Sequence, residues 1–313
     1  MYRVMLETNR TFDIRAALKQ GLARLGGAET PCHPLAAEVL LMHTLQHDRA
    51  WLYSHPDDIL DSAAAEKYFD LIARRAAGEP TQYLTGKQEF WGLEFEVSPA
   101  VLIPRPETEH LLEVALARLG ERGLKIHLDS GVPRETLQVA DVGTGSGCLA
   151  IALAYELPHA QIIATDISAA ALEVARRNAI RNTISPHHIA ERIRFIETDL
   201  LPPENKSPFF DLIVSNPPYI ADSEAASLQR EVRDHEPHQA LFAGPTGLEV
   251  YERLVAEARK QLRHRGILVL ELGHNSADEV RALFDAGPSH WTNVSMTMDL
   301  AGIPRVLAAE RVR

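Results

Sequence analysis

Asn216-Pro217-Pro218-Tyr219 follows the short apolar run Leu212-Ile213-Val214. Prolines lack an N–H donor and fix φ, so such a turn presents rigid carbonyls outward. The side-chain oxygen of Asn216 and the backbone oxygen of Pro217 then supply two convergent acceptors, and Tyr219 supplies an aromatic wall. Two acceptors beside a ring suit a planar –NH2 group, since each holds one of its protons. The nitrogen lone pair is left out of plane, aimed at an electrophilic carbon. An amide nitrogen is a poor nucleophile because its lone pair is conjugated with the carbonyl, so holding it out of conjugation is itself a catalytic device. In-line approach of this kind depends on positioning more than on a general base, and a dry, preorganised pocket assists where a cationic donor loses its charge. On this reading Asn216, Pro217 and Tyr219 are the catalytic residues. Asn216 to Tyr219, Pro218 included, hold the substrate, and Asn216 also borders the cofactor.

The matching donor site begins at Asp141-Val142-Gly143-Thr144-Gly145-Ser146-Gly147. Glycines let the backbone turn tightly and let a ligand approach the main chain. The dinucleotide fingerprint G-x-G-x-x-G does not fit, because the third glycine comes one residue early and Cys148 stands where that pattern needs glycine. No Gly-Lys-Ser/Thr follows, so the turn is no phosphate-binding P-loop either. Asp166 lies 23 residues beyond Gly143 at the end of the next strand, where a carboxylate accepts from both ribose hydroxyls of a nucleoside. Asp199 and Leu200 end a third strand in the same layer, one meeting an adenine by its polar edge and one by its face. The plainer alternative makes Asp166 and Asp199 solvated strand ends. Nucleoside-shaped features without phosphate chemistry point to S-adenosyl-L-methionine, with S-adenosyl-L-homocysteine as product. Its expected contacts are Gly143, Thr144, Gly145, Ser146, Gly147, Asp166, Asp199, Leu200 and Asn216.

The elements needed to position these residues can be read in order. Apolar residues at three- and four-residue spacing predict helices from Phe12, over Leu35 to Leu45 with Pro34 at the first helical position, and over Ala63 to Ala77, ending at Gly78 and Pro80. Between Lys87 and Val101 the period changes to two, with Phe90, Leu93, Phe95 and Val97 alternating and Trp91-Gly92 as the turn of a hairpin. Arg105 to Leu119 is helical again. From Leu137 strands at 137–142, 160–165, 192–197, 211–215 and 266–272 alternate with helices at 148–156, 169–178 and 250–262. That alternation predicts a parallel α/β sheet, which binds ligands outside the carboxyl ends of its strands.

The chain has 313 residues, with 32 Lys plus Arg against 43 Asp plus Glu, a net charge of −11. A hydrophobic content of 45% is that of a globular protein rather than a disordered one, and the length suits two domains. Binding to duplex DNA rests largely on Lys and Arg, so the acidic balance favours a small-molecule or protein substrate over direct nucleic-acid binding. No apolar run is long enough to span a membrane, and the start MYRVMLETNR lacks a signal-peptide core. With only Cys32 and Cys148, a disulfide framework is excluded. The expectation is a cytoplasmic protein with reduced thiols, and a monomer.

With these residues in place, the sequence resembles the HemK/PrmC family of release factor glutamine methyltransferases over nearly its full length. The resemblance rests on GEPTQYLTGKQEFWGLEF, VLIPRPETE, DVGTGSGCLAIALA, SNPPYI, EPHQALFAGPTGLEVYERL and DLAGIPRVLAAER. It implies an α/β fold: a class I, Rossmann-like, seven-stranded methyltransferase domain at 104–313. An N-terminal helical substrate-recognition domain at 1–86 and a β-hairpin linker at 87–103 precede it. It implies methyl transfer from S-adenosylmethionine to N5 of the glutamine in the Gly-Gly-Gln motif of peptide chain release factors. Gly143 to Gly147 and Asp166 would hold the cofactor, Leu200 would border the adenine, and Asn216 to Tyr219 would hold the glutamine amide. Phe90 and Ile103-Pro104-Arg105-Pro106 would line the cofactor or peptide channel. The loop from Gly120 to Glu135 is long for the family, and Pro186-His187-His188 touches no motif.

Asn-Pro-Pro-Tyr also serves methyltransferases acting on N6 of adenine in DNA or RNA, and that reading stays as the alternative. Pro104-Arg105-Pro106-Glu107-Thr108-Glu109, the acidic charge and the lack of a base-reading module weigh against it. A non-catalytic binder that kept the fold would have no need of intact Asn216 and Tyr219. The 14 histidines lack the spacing of metal ligands, so no metal is expected. Glu107 and Glu109 are read as neutralising Arg105 or capping the helix after it, Cys148 as a packed small residue, and Trp51 and Tyr53 as packing the helical domain. Glu236-Pro237 and Gly244-Pro245-Thr246-Gly247 shape a loop near the site.

Overall fold

The computed structural model describes residues 11–28, 34–123, 136–183, 188–203, 209–285 and 290–312. Cys32, Pro186, His187 and residues 124–135 of the long loop lie outside them. The chain divides into two compact units, Met1–Gly86 with Gln229–His235, and Lys87–Leu228 with Glu236–Arg313.

In the smaller unit the helices are α1 (Ile14–Gly26), α2 (Leu35–Leu45), α3 (Arg49–Ser54), α4 (Ser62–Ala76) and α5 (Thr81–Thr85). Asp13, Asp48 and Asp61 cap α1, α3 and α4, each carboxylate accepting a backbone N–H three residues on at 2.6–2.7 Å; such caps satisfy donors the helix leaves open. Pro34 sits one residue before its expected place, at the N-cap of α2. Ile14, Ala17, Leu40, Leu41, Leu52, Tyr68 and Ile72 form the core. Gly21 lets α4 approach α1, since a Cβ there would lie 2.1 Å from the Tyr68 hydroxyl. The buried Arg75 pairs with Glu231 of the short helix Arg230–His235 at 2.5 Å, which is what the later segment adds to this unit. Trp51 packs as expected and stacks between His47 and His55. Tyr53 does not: it is 59% exposed and donates its hydroxyl to Glu38, because its ring leaves the far side of the one-and-a-half-turn α3.

The larger unit opens with the hairpin β1 (Lys87–Phe90) and β2 (Leu93–Glu96), Phe90 pairing with Leu93. Trp91 (φ 54°) and Gly92 (φ 68°) are both left-handed, the backbone that a two-residue hairpin turn with right-twisted strands requires. The hairpin falls within this unit rather than between two. Then follow α6 (Pro106–Glu121), β3 (Gln138–Val142), α7 (Cys148–Glu156), β4 (Gln161–Asp166), α8 (Ala169–Arg181), β5 (Ile193–Glu197) and β6 (Phe210–Ser215). Beyond the site loops come α9 (Glu249–Gln261), β7 (Leu262–Glu271), α10 (Ala277–Asp285), β8 (Trp291–Met298) and β9 (Pro304–Arg311).

These strands form a seven-stranded sheet in the order β8-β9-β7-β6-β3-β4-β5. The five from β7 to β5 are parallel, and β9 runs antiparallel between β7 and β8. Alternate residues serve opposite faces. Val139, Leu212, Val214, Ile267 and Val269 join the core beneath α6 and α7. Ala140, Ile213, Leu268 and Leu270 join the other, beneath α9 and α10. A sheet covered on both faces explains the unbroken apolar run Leu212-Ile213-Val214. The strand order reverses between β3 and β6, the position where α/β sheets open a crevice. Among the described residues no helix is long and apolar enough to cross a membrane.

Candidate active site

β3 and β6 are neighbours in register, with Val142 opposite Ser215. The glycine turn and the Asn-Pro-Pro-Tyr turn therefore leave the two central strands at the same level. The Ser215 hydroxyl donates to the Val142 carbonyl at 2.7 Å and ties the two strand ends together.

Gly143, Gly145 and Gly147 have φ of 72°, 55° and 84°, a conformation side chains disfavour. At Gly143 and Gly145 a Cβ would meet nothing among the described residues within 4 Å, whereas at Gly147 it would crowd Ala175 and Ile151. The first two glycines thus keep a cradle open, and the third lets α7 and α8 close behind it. Asp141, fully buried, accepts from the Thr144 hydroxyl at 2.6 Å and from the Ala150 N–H at 3.0 Å, so it staples the turn to the helix that follows. Burial pushes its carboxyl up to about 7, and its second oxygen has no partner among the described residues. Cys148 is packed and buried. Its thiol is pushed up to about 12, first by burial and then by Asp141.

Asp166 ends β4 and faces this turn. It accepts from the N–H of Gly145 and of Ser168, each at 2.9 Å, and burial raises its carboxyl above the usual range against those bonds. Each oxygen keeps a further lone pair for a hydroxyl. The open cradle and this carboxylate fit the ribose end of S-adenosylmethionine. Leu200 is half-buried with a left-handed backbone, φ 63°, and its carbonyl accepts from Thr165 at 2.6 Å, which fixes it beside β4. Asp199 next to it is half-exposed and ion-paired with Arg253.

Beyond β6, the Asn216 side chain is anchored from behind. Its –NH2 donates to the Thr108 hydroxyl at 3.0 Å, and that hydroxyl donates to Glu271 at 2.6 Å. Thr108 lies in the first turn of α6, and Glu271 ends β7. Glu271 is 3% exposed, and burial pushes its carboxyl up to about 7, with Glu107 adding to that and Thr108, Arg305 and Arg105 opposing it. Tyr219 is held close to the backbone: a Cβ at Gly247 would lie 2.7 Å from its carbonyl oxygen, and one at Gly273 2.9 Å from its ring. Burial raises its hydroxyl well above the ordinary value. Tyr251 donates to the Glu271 carbonyl at 2.7 Å and accepts from the Gly273 N–H, so the floor under Tyr219 is itself hydrogen-bonded.

Arg105 is paired by Glu236, which also accepts from the Ile103 N–H at 3.2 Å. This corrects the expectation for Glu107 and Glu109. Glu109 accepts from the Trp91 N–H at 2.8 Å, Glu107 is exposed, and α6 has no side-chain cap. Phe90 is 1% exposed and packs in the core with Phe95 rather than lining a channel. Thr108 and Glu271 were not singled out from sequence, and Glu236 was read only as shaping a loop near the site, without its bond to Arg105. Glu271 had a signal, a lone carboxylate ending the apolar run Ile267-Leu268-Val269-Leu270. Thr108 had only its place within Pro104 to Glu109. Among the described residues no three His, Cys, Asp or Glu side chains stand close enough to hold a metal.

Two family models match the chain, the PrmC N-terminal domain over residues 16–86 and the methyltransferase small domain over residues 121–234. The release factor glutamine methyltransferase of Koribacter versatilis is 42% identical over 299 residues, covering 95% of this chain and 98% of that one. The protein of the same name from Chlorobaculum tepidum is 43% identical over 277 residues, 88% and 89% of the two chains. Among solved structures, the hMettl16 catalytic domain, in complex with MAT2A 3'UTR hairpin 1, superposes with a TM-score of 0.53 at 18% identity. It covers 78% of this chain and 83% of its own, a likeness of fold.

Proposed function

This chain belongs to the release factor glutamine methyltransferase family, and from that we infer that its paired turns carry out methylation of a release factor at the side-chain nitrogen of a glutamine. The protein is an S-adenosylmethionine-dependent methyltransferase acting on N5 of that glutamine, the one in the Gly-Gly-Gln motif. The observation that supports the site most directly is the Val142–Ser215 register, which brings the glycine turn and the Asn-Pro-Pro-Tyr turn side by side.

When bound, S-adenosylmethionine supplies a methyl group on a sulfonium sulfur. Gly143 to Gly147 would give it backbone, Asp166 would take its ribose hydroxyls, and Leu200 with Asp199 would border its adenine. Asn216 Oδ1 and the Pro217 carbonyl accept the two amide protons of the glutamine, while Tyr219 walls one face of the amide. Held so, the nitrogen lone pair is turned away from its carbonyl. As the nitrogen takes the methyl group, the methyl–sulfur bond breaks with its electron pair left on sulfur; the nitrogen becomes cationic, and the two acceptor oxygens stabilise its acidified protons until one passes to solvent water. Pro218 keeps the turn rigid and contributes no competing N–H.

We further read the helical unit as the part that recognises the release factor, and the protein as a cytoplasmic monomer that does not bind nucleic acid directly. The test is transfer of a labelled methyl group from S-adenosylmethionine to a purified release factor. Parallel reactions use the factor with its Gly-Gly-Gln glutamine changed to alanine, and duplex DNA. Label on the intact factor alone is the expected result. Label on DNA alone would replace this reading with adenine methylation.

A further inference from the structure

The Asn216 side chain can serve as an acceptor in only one of its two amide orientations, and what selects that orientation lies behind it. A hydroxyl has one proton to give. That of Thr108 lies 2.6 Å from Glu271 Oε2, the length of a bond to a carboxylate, so its proton is committed there. The lone pairs of Thr108 Oγ1 then face Asn216 at 3.0 Å and call for a donor. Asn216 meets that call with its –NH2 and leaves Oδ1 for a substrate. We propose that Thr108 and Glu271 form a relay that positions Asn216, locking its amide so that the face toward the substrate is an acceptor. This rests on the glutamine-methylating reading and adds two positioning residues to it.

The relay has a further consequence. An amide that donates into a chain ending on a carboxylate becomes a better acceptor at its own oxygen, because hydrogen bonds in series polarise one another. Asn216 Oδ1 is thus strengthened where the reacting nitrogen acquires positive charge. Protonation of Glu271 reverses the chain: the carboxylic acid donates to Thr108 Oγ1, the threonine proton is released, and it can be offered to Asn216 Oδ1. The Asn216 amide is then free to turn and to present –NH2 to –NH2. The groups facing Glu271 are Thr108, Arg105 and Glu107 from the start of α6, Arg305 from β9, Tyr219 from the turn after β6, Tyr251 from α9 and Cys148 from α7. Burial lifts its carboxyl to about 7, so the switch falls within an accessible range of pH.

The experiment compares wild type, Thr108→Val and Thr108→Ser for methyl transfer to a release factor between pH 6 and 9, with S-adenosylmethionine binding and melting temperature measured alongside. Valine keeps the shape and removes both hydrogen bonds, while serine keeps the hydroxyl. Thr108→Val is expected to lower kcat by roughly ten- to thirtyfold, with KM for the factor and affinity for S-adenosylmethionine each within about threefold. Thr108→Ser is expected to recover most of kcat. With the Glu271 carboxyl lifted to about 7, wild-type kcat is expected to rise with pH through that value, and the limb is expected to be lost in the valine variant. The relay is overturned by a valine variant with near wild-type kcat, by a serine variant as impaired as valine, or by an unchanged limb. Wild type that leaves the factor unlabelled would instead sink the glutamine reading, so the two failures are told apart.

Discussion

Asn178, fully buried in α8, donates its side-chain –NH2 to the carbonyl of Ser146 inside the glycine turn at 2.9 Å. The same group donates to the Glu96 carbonyl, and its oxygen accepts from the Glu96 N–H at 2.7 Å. One side chain thus braces the glycine turn and the end of the hairpin together. Replacing it with alanine leaves buried backbone groups unpaired, which costs about 1–3 kcal/mol for each. Asn178→Ala is expected to lower the melting temperature and to weaken S-adenosylmethionine binding by calorimetry. Unchanged affinity would show that the turn holds its shape unaided.

Asn216→Ala removes the acceptor proposed to hold the reacting nitrogen and leaves the glycine turn intact. Methyl transfer should fall by about a hundredfold or more, in kcat rather than in cofactor affinity. Near-normal turnover would refute the proposed role of the Asn-Pro-Pro-Tyr turn.

Gly247 has φ 82°, and a Cβ there would lie 2.7 Å from the Tyr219 carbonyl. Because the neighbour is backbone, it must shift, and Tyr219, the proposed wall of the substrate pocket, shifts with it. Gly247→Ala should cost about 1–3 kcal/mol of stability and reduce kcat while S-adenosylmethionine still binds. A fully active variant would place Tyr219 outside the reaction.

Asp141 carries its carboxyl at about 7 in the fold against 3.8 in an open chain. The folded state therefore binds a proton more tightly than the unfolded state, so this group destabilises the fold progressively as pH rises from about 4 to 7, and fully above that. Asp141→Asn cannot ionise. Its melting temperature should gain on that of wild type between pH 5.5 and pH 8. A difference that stays constant across this range would mean that Asp141 is ionised throughout.

The strands, helices and turns that build the site could be read from local pattern because each is local in origin. Apolar runs end at Asp141, Asp166 and Asn216, glycines punctuate the first turn and prolines the second. The hairpin announced itself by alternation and by Trp91-Gly92. The last two strands, β8 and β9, did not stand out, since β8 is half-exposed and lacks the unbroken apolar run of the central strands; only the resemblance supplied a seven-stranded count. What escaped altogether was pairing across distance. Thr108 and Glu271 are 163 residues apart, and Arg105 and Glu236 131 apart. Sequence shows which of these side chains are charged, but a buried carboxylate takes its partner from tertiary packing. Glu107 and Glu109, adjacent to Arg105 in sequence, were therefore the wrong choice.

The division of the chain bears on how it can be cut. The boundary between the two units is crossed after Gly86, after Leu228 and after His235. The helical unit is therefore not a detachable prefix. Removing residues 1–86 would leave behind a seven-residue fragment of it, Gln229–His235, and strip Glu231 of Arg75. Domain-swap chimeras should respect all three crossings, exchanging Gln229–His235 together with the first 86 residues.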